Sequence, residues 1–154
     1  MFTKDEMKNL KTDFWNGFKK TMQNVKSANG RKMNWLKYPT DVKDIYLRCE
    51  ADQHGARLCF DFQMKDAGIR QLFWEQMVEL KKVLELETGT DAMWLENTSS
   101  FSVPQFNRIV WENPSLNFYN QANHPQIYAF LKERLIAFDK FYQEFKDILI
   151  NLAL

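Results

Sequence analysis

Residues 66–96 constrain the fold more than any other part of the chain. Apolar side chains recur there at three- and four-residue spacing from Ile69 to Leu86, which is the period of an amphipathic helix. Gly89 ends that helix, because glycine readily adopts the backbone conformation that follows a helix terminus. Residues 93–96 then predict a short apolar strand. A helix followed directly by a strand indicates a domain in which helices cover a sheet.

A β-hairpin is predicted immediately before this stretch. Residues 44–51 and 56–65 alternate between apolar and polar side chains, and a polar turn of residues 52–55 joins them. The register that keeps the apolar faces together places Cys49 opposite Leu58 and Glu50 opposite Arg57. Cys59 then lies on the opposite face from Cys49, so we expect two reduced cysteines and no disulfide.

The remaining elements complete a single α+β domain over residues 1–154. Thr3 and Glu6 form a capping box for a first helix, whose apolar pattern continues until residues 27–30. Residues 33–38 and 106–112 predict further strands, and Pro125 suits the first turn of a long final helix. The predicted order is helix, three strands including the hairpin, helix, two strands and a long C-terminal helix.

Several classes of chemistry lack the residues that they need. His54 and His124 are the only histidines, and neither they nor the two cysteines have the spacing of a zinc site. The five glycines form no phosphate-binding loop. We therefore expect no metal and no cofactor, and we favour a function other than catalysis. No apolar run is long enough for a membrane span and the N-terminal residues are charged, so we also expect a cytoplasmic protein without a membrane partner.

A divergent metal-dependent nuclease is one alternative. The element order partly resembles the core of restriction-type endonucleases, in which an acidic residue on one strand and a (D/E)xK group on the next form a site for a divalent ion. The corresponding residues here are Asp44, Gln63 and Lys65. Gln63 stands where a carboxylate is needed, and a neutral amide is a weaker ligand than an anion for a hard cation.

Charge is distributed unevenly along the chain. Residues 1–40 contain nine Lys or Arg and three acidic residues, a balance of 9 − 3 = +6, whereas the remainder has 12 − 17 = −5. Helical spacing predicts a lysine stripe around Trp15 on the first helix, made of Lys4, Lys8, Lys11, Lys19 and Lys26. This asymmetry is typical of a surface that attracts anions or nucleic acid. It predicts a noncatalytic binding module, accessory to nucleic-acid processing, whose candidate residues are Lys8, Lys11, Trp15, Lys19, Lys26, Arg31 and Lys32.

Two other interpretations of the basic first quarter remain open. The lysines could simply border an apolar stripe and extend their ammonium groups into water, with Trp15 packed on the core edge. Alternatively, the acidic remainder could meet the basic stripe of a second copy, or the long final helix could pair with another, to give a self-associating protein-interaction scaffold. The candidate partners are therefore nucleic acid, another protein or a second copy of the chain.

Short segments along nearly the whole chain resemble successive blocks of one bacterial domain family. These segments are Asp13-Phe14-Trp15, Asn34-Trp35-Leu36-Lys37-Tyr38, Lys43-Asp44-Ile45-Tyr46-Leu47-Arg48, Lys65-Asp66-Ala67-Gly68-Ile69, Leu72-Phe73-Trp74-Glu75-Gln76 and Arg108-Ile109, together with the aromatic final helix. The family has no assigned function. Its members occur as small standalone proteins and, in other cases, C-terminal to restriction-endonuclease-like nuclease domains. The resemblance implies a role near nucleic-acid processing or defence, and it brings no catalytic residue with it.

Overall fold

A computed structural model describes residues 2–154 as helices packed on one face of a four-stranded antiparallel sheet. The strands lie in the spatial order β1-β2-β4-β3, so β4 is inserted between β2 and β3. The predicted α+β class and the broad order of elements are confirmed. The helices are α1 (Lys4–Met22), α2 (Ala67–Glu79), α3 (Lys81–Thr88) and α4 (His124–Leu152), and the strands are β1 (Ile45–Asp52), β2 (Gly55–Phe62), β3 (Met93–Thr98) and β4 (Phe106–Asn113).

The start of α1 follows from local hydrogen bonds, and the helix ends before the predicted break at residues 27–30. The backbone N–H of Glu6 donates to the Thr3 hydroxyl over 3.1 Å, and the Glu6 carboxylate accepts from the N–H of Thr3, so the predicted capping box is confirmed. The helix ends at Met22, and the carbonyl of Val25 accepts a 2.9 Å hydrogen bond from the Trp35 indole. Lys26 consequently lies beyond the helix. The prediction that it belongs to the helical lysine stripe is wrong.

The hairpin has the predicted register. Cys49 pairs with Leu58 and Glu50 with Arg57 across β1 and β2. Both cysteines are free thiols. Burial raises the pKa of Cys49 to about 12 and also raises the pKa of Cys59, so both thiols are protonated near neutral pH.

Residues 33–38 do not form the predicted strand. The chain instead makes a 3₁₀ turn at Trp35–Lys37, capped by the Asn34 side chain, which accepts a hydrogen bond from the N–H of Lys37. This turn buries Trp35 at 4% exposure. A short apolar run is compatible with either structure, and here the cap and the buried indole favour the turn.

The second predicted helix is broken at Leu80 into α2 and α3. Only part of its apolar face is buried: Phe73, Met77 and Leu84 lie in the core, whereas Ile69 and Leu86 are 49% and 83% exposed. The single helix predicted from Ile69 to Leu86 is therefore two helices in the structure, and its apolar face is covered unevenly. A periodic pattern identifies a helix face but does not fix how much of that face its neighbours cover.

The core lies between the sheet and α4. Phe138 of α4 packs edge-on against Phe60 of β2 and Trp111 of β4, with ring centroids 4.8 and 6.0 Å away. Alternation sends Arg57 and Asp61 of β2 to the other face of the sheet, outside this core. The predicted final helix is confirmed, with a proline in its first turn and 29 residues in its length. Within residues 2–154 no helix is both long enough and apolar enough to cross a membrane.

Candidate functional site

A basic cleft lies between the last turn of α1 and the segment that leads into the 3₁₀ turn. Its volume is about 460 Å³. Three lysines line it, Lys19 and Lys20 from α1 and Lys32 from the following segment, and none of its lining residues is acidic. We call it the lysine cleft. Gln23 and Asn34 add neutral hydrogen-bonding groups to its lining.

The apolar part of the lysine cleft is formed by the buried Met22 and Trp35 and the half-buried Met33 and Leu36. Met22 and Trp35 line the cleft, yet they are only 2% and 4% exposed. The Trp35 indole N–H is already used, since it donates to the Val25 carbonyl. Trp35 therefore shapes the cleft but presents little of its ring to a ligand. What the cleft can offer a ligand is positive charge in a concave setting.

Lys32 is positioned by a turn that a buried carboxylate holds in place. Asp139 of α4 is 2% exposed and accepts hydrogen bonds from the Ser27 hydroxyl at 2.9 Å and from the Ala28 N–H at 2.7 Å. The turn is closed by a 2.9 Å bond from the Ser27 N–H to the Arg31 carbonyl, and Gly30 within it has a φ of +83°. Asp139 thereby fixes the segment that carries Lys32 to the long helix.

Two further donors complete the environment of Asp139. The Tyr38 hydroxyl donates to it over 2.6 Å and the Gln143 side-chain amide over 3.1 Å. Burial, followed by the neighbouring Asp139, raises the pKa of Tyr38 far above its ordinary value. A buried carboxylate with several donors has a structural role unless a reacting group reaches it.

Asp139 is not among the residues predicted from the sequence. One signal was available, because an acidic residue stands next to Phe138 within the buried stripe of an otherwise apolar helix face. A charged residue in that position must have partners, but nothing local to it in the sequence identifies them. Three of the four partners lie more than 100 residues away.

The structure brings only some of the predicted binding residues together. Lys19 and Lys32 share the lysine cleft. Lys8 and Lys11 are exposed on α1 but do not line the cleft. Arg31 is exposed in the turn of residues 27–31, and Lys26 is exposed between the end of α1 and that turn. The ion pairs formed among residues 2–154 include none of these cations.

Trp15 lies at the edge of the core and not on open surface. It is half-buried, and its ring packs edge-on against Phe14 and Phe18 with centroids 4.8 and 6.2 Å away. This geometry agrees with the interpretation in which Trp15 packs on the core edge. It leaves the lysines as the main ligand-facing groups of α1.

Of the three nuclease candidates, Asp44 and Lys65 share a cavity that Gln63 does not line. Asp44 and Lys65 line a second cavity of about 700 Å³, which also contains apolar Ile69 and Leu72. Gln63 donates its backbone N–H to the Asp44 carbonyl, but its side-chain amide is directed to Asp61, 3.5 Å away. In the part of the chain that the structure describes, no group of three or more His, Cys, Asp or Glu side chains is arranged to hold a metal ion.

The two histidines have local partners. His124 lies 2.6 Å through Nε2 from the Phe118 carbonyl, and its ring packs against Phe14. His54 is exposed in the hairpin turn, where its N–H donates to Asp52. Burial opposes ionisation of Asp52, but hydrogen bonds from Arg57 and from the His54 amide outweigh it and lower the pKa of the carboxyl. These contacts stabilise turns and require no substrate.

The face of the sheet opposite the core carries an ion-pair network. Arg57 meets Glu50 at 3.1 Å, Asp52 at 2.5 Å and Glu112 at 3.2 Å. Arg108 of β4 binds both oxygens of the buried Asp61, at 2.7 and 2.8 Å. Hydrogen bonding from Arg108 to that carboxylate raises the pKa of the guanidinium above its usual range. The sequence alone does not reveal this network, because the contact between Arg108 and Asp61 depends on the pairing of β2 with β4.

Comparison with known proteins gives one match. A family model described as a domain of unknown function, DUF4268, matches residues 10–146. No curated protein and no solved structure matches the chain. The predicted resemblance to an uncharacterised domain family is confirmed, and the occurrence of relatives fused to nuclease domains stays a prediction.

Proposed function

The chain belongs to the DUF4268 family, whose function is unknown, and we propose from its surface that it is a noncatalytic binding module that holds single-stranded nucleic acid in the lysine cleft. The lysines of the cleft would contact the phosphate backbone. The exposed lysines of α1 would extend the contact along the strand.

The observation that carries this proposal is the set of unpaired cations in the lysine cleft. Lys19, Lys20 and Lys32 come from two segments, and no carboxylate shares the cleft with them. Among the residues that the structure describes, none of the three takes part in an ion pair. A cation that has no protein partner gains most from a phosphate, because binding then replaces only water and counterions.

The length of the basic surface favours a polymer over a small anion. Lys8, Lys11 and Lys19 are exposed on α1, and an α-helix rises 1.5 Å per residue, so Lys8 and Lys19 lie about 16 Å apart along the axis. A single small anion cannot contact both ends of such a row. A chain of phosphates can contact all of it.

The charge of the rest of the chain would orient the ligand. Residues 41–154 have a net charge of −5 against +6 for residues 1–40. A polyanion is attracted to the side that carries α1 and repelled elsewhere. This division favours one bound orientation over uniform coating of the surface.

The test is fluorescence anisotropy with a labelled oligothymidylate at several salt concentrations. We expect log affinity to fall linearly with log salt concentration, and a double variant Lys19→Gln/Lys32→Gln to reduce the slope by about 1.4, since each contact to a single strand contributes about 0.7. The matched control is Lys82→Gln/Lys140→Gln, which removes the same charge from exposed positions outside the cleft.

Two results would refute the proposal. One is the absence of salt-dependent binding by the unaltered protein. The other is an equal loss of slope in the site variant and in the control, which would mean that only net charge matters.

A further inference from the structure

A smaller concavity, separate from the cavity beside Asp44 and Lys65, adjoins the lysine cleft across the 3₁₀ turn. Its volume is about 250 Å³, and Lys37, Tyr46 and Arg48 are among its lining residues. Leu36 lines both concavities, so they meet at this residue. We call the second one the tyrosine pocket. It is not part of the lysine stripe on α1 and lies instead at the edge of the sheet, where β1 meets the turn.

The tyrosine pocket offers groups suited to a nucleobase. Tyr46 and Arg48 lie two residues apart on β1 and therefore project from the same face of the strand. The guanidinium carbon of Arg48 lies 4.3 Å from the centroid of the Tyr46 ring. Arg48 is exposed and Tyr46 is half-buried, so the pair remains accessible to solvent. Because the guanidinium lies over the ring, the two groups form one stacked platform, on whose accessible face bases of any identity can stack.

The cations of the pocket are also available. Neither Lys37 nor Arg48 forms an ion pair with any residue from 2 to 154. The acidic side chains nearby are paired: Asp61, which opposes Tyr46 on β2, is bound by Arg108, and Glu50, two residues beyond Arg48, is bound by Arg57. The positive charge of the pocket is therefore not offset by a free carboxylate at these positions.

We propose that a single strand continues from the lysine cleft over Leu36 into the tyrosine pocket, where one base stacks on the Tyr46–Arg48 pair and Lys37 contacts a phosphate. This inference rests on the proposed function and adds to it a base-stacking subsite and a path for the strand. The ion-pair network around Arg57 and Glu50 marks the end of that path, because three carboxylates gather there around one arginine.

The path requires an unpaired strand. A base within a duplex has both faces stacked on its neighbours, so it cannot reach a side-chain platform without being extruded. The ligand class is therefore single-stranded DNA or RNA with no fixed sequence, since stacking depends on the π-face and not on base edges. Duplex of the same length is expected to bind more weakly.

The experiment compares an oligothymidylate with an abasic oligonucleotide of equal length, which keeps the phosphates but lacks the bases. Tyr46→Leu is expected to weaken binding of the oligothymidylate about tenfold, in the range found for the loss of one stacked base. It should leave binding of the abasic strand unchanged. Tyr46→Phe is the matched control, because it keeps the ring and should bind both strands as the unaltered protein does.

The outcomes separate this inference from the function on which it rests. The stacking subsite is overturned if Tyr46→Leu binds both strands as the unaltered protein does, or if it binds both with equally reduced affinity. In either case the proposal for the lysine cleft stands as long as Lys19→Gln/Lys32→Gln still reduces the salt slope. If the unaltered protein binds no strand in a salt-dependent way, both proposals fail. Should Tyr46→Leu not fold, photocrosslinking of the unaltered protein to a 5-iodouracil strand decides: a crosslink at Tyr46 supports the subsite, and crosslinks only elsewhere overturn it.

Discussion

The carboxylate of Asp139 accepts a 2.7 Å hydrogen bond from the backbone N–H of Ala28, across 111 residues of chain. This bond joins the long helix α4 to the turn that precedes Lys32. The lysine cleft therefore depends on a buried group that itself contacts no ligand. A change at Asp139 is therefore expected to affect both the stability of the fold and the proposed binding.

Replacing Asp139 by asparagine should destabilise the fold by about 1–3 kcal/mol. The substitution keeps the size of the side chain, but one acceptor oxygen becomes an amide donor that faces the Ser27 and Ala28 donors. Urea denaturation measures the change. Asp147→Asn, at an exposed position on the same helix, is the control and should change stability by less than about 0.5 kcal/mol. Equal stability of the two variants would contradict the structural role of Asp139.

Ser27→Ala should separate positioning from charge. It removes one hydroxyl donor to Asp139 and no charge, so we expect a loss of about 1 kcal/mol in stability. Oligothymidylate affinity should fall a few-fold because the turn that carries Lys32 is held less firmly, while the salt slope stays unchanged because every cation remains. A reduced salt slope, measured by the same anisotropy titration, would show that the turn sets the number of phosphate contacts instead.

Stability should decrease as the pH rises above about 9. The pKa of Cys49 is about 12 in the fold, against about 8.5 in an unfolded chain. Because the folded-state pKa is raised, the fold keeps a proton that the unfolded chain has lost. The contribution is fully present below the unfolded pKa and is lost as the pH approaches the folded pKa, at up to about 1.4 kcal/mol per pH unit for one group.

Denaturant unfolding at a series of alkaline pH values measures this slope. Cys49→Ser should reduce the slope between about pH 9 and about pH 12, whereas His54→Gln in the exposed turn should not, since it leaves every thiol and phenol in place. Tyr38 and Tyr142, whose pKa values are raised by burial, add to the loss at higher pH. A Cys49→Ser slope equal to that of the unaltered protein would contradict the assignment.

The ion pair between Arg108 and Asp61 should behave as a buried pair. The Asp61 side chain is 1% exposed, so Arg108→Gln leaves a buried carboxylate without its cation and should cost about 3 kcal/mol. The double variant Arg108→Met/Asp61→Leu should recover much of that loss, because apolar residues need no partner. Lys146→Gln is the contrast, since its partner Asp41 is 52% exposed and the loss should stay below about 1 kcal/mol. A double variant as unstable as Arg108→Gln would contradict this prediction.

Local patterns predicted those parts of the structure that local interactions determine. Alternation set the register of Cys49 and Leu58, the Thr3–Glu6 spacing set the start of α1, and Pro125 marked the beginning of α4. Each of these depends on residues close together in sequence or on one face of one element. The confirmed elements are those in which pattern and tertiary packing agree.

The sequence-based predictions were wrong where contacts between residues distant in sequence determine the local structure. The Trp35 indole bonds to Val25, and this contact accompanies both the early end of α1 and the 3₁₀ turn that replaced a predicted strand. In the candidate site, the charge count identified Lys19 and Lys32, but their shared cleft depends on Asp139, and Tyr46 lay outside the basic segment altogether. Composition identifies an electrostatic bias, whereas the geometry of a site requires the tertiary contacts.

The insertion of β4 between β2 and β3 has a consequence for how the sheet assembles. The β1–β2 hairpin can form as soon as both strands exist, but the free edge of β2 has no partner until residues 106–113 are available. Phe60, on the core face of β2, also lacks its cover until Phe138 is present. We therefore expect the hairpin to be a transient species with an unprotected edge. Pulse-labelled hydrogen exchange during refolding should show the β2 amides that bond to β4 gaining protection in the same step as β4, after the β2 amides that bond to β1.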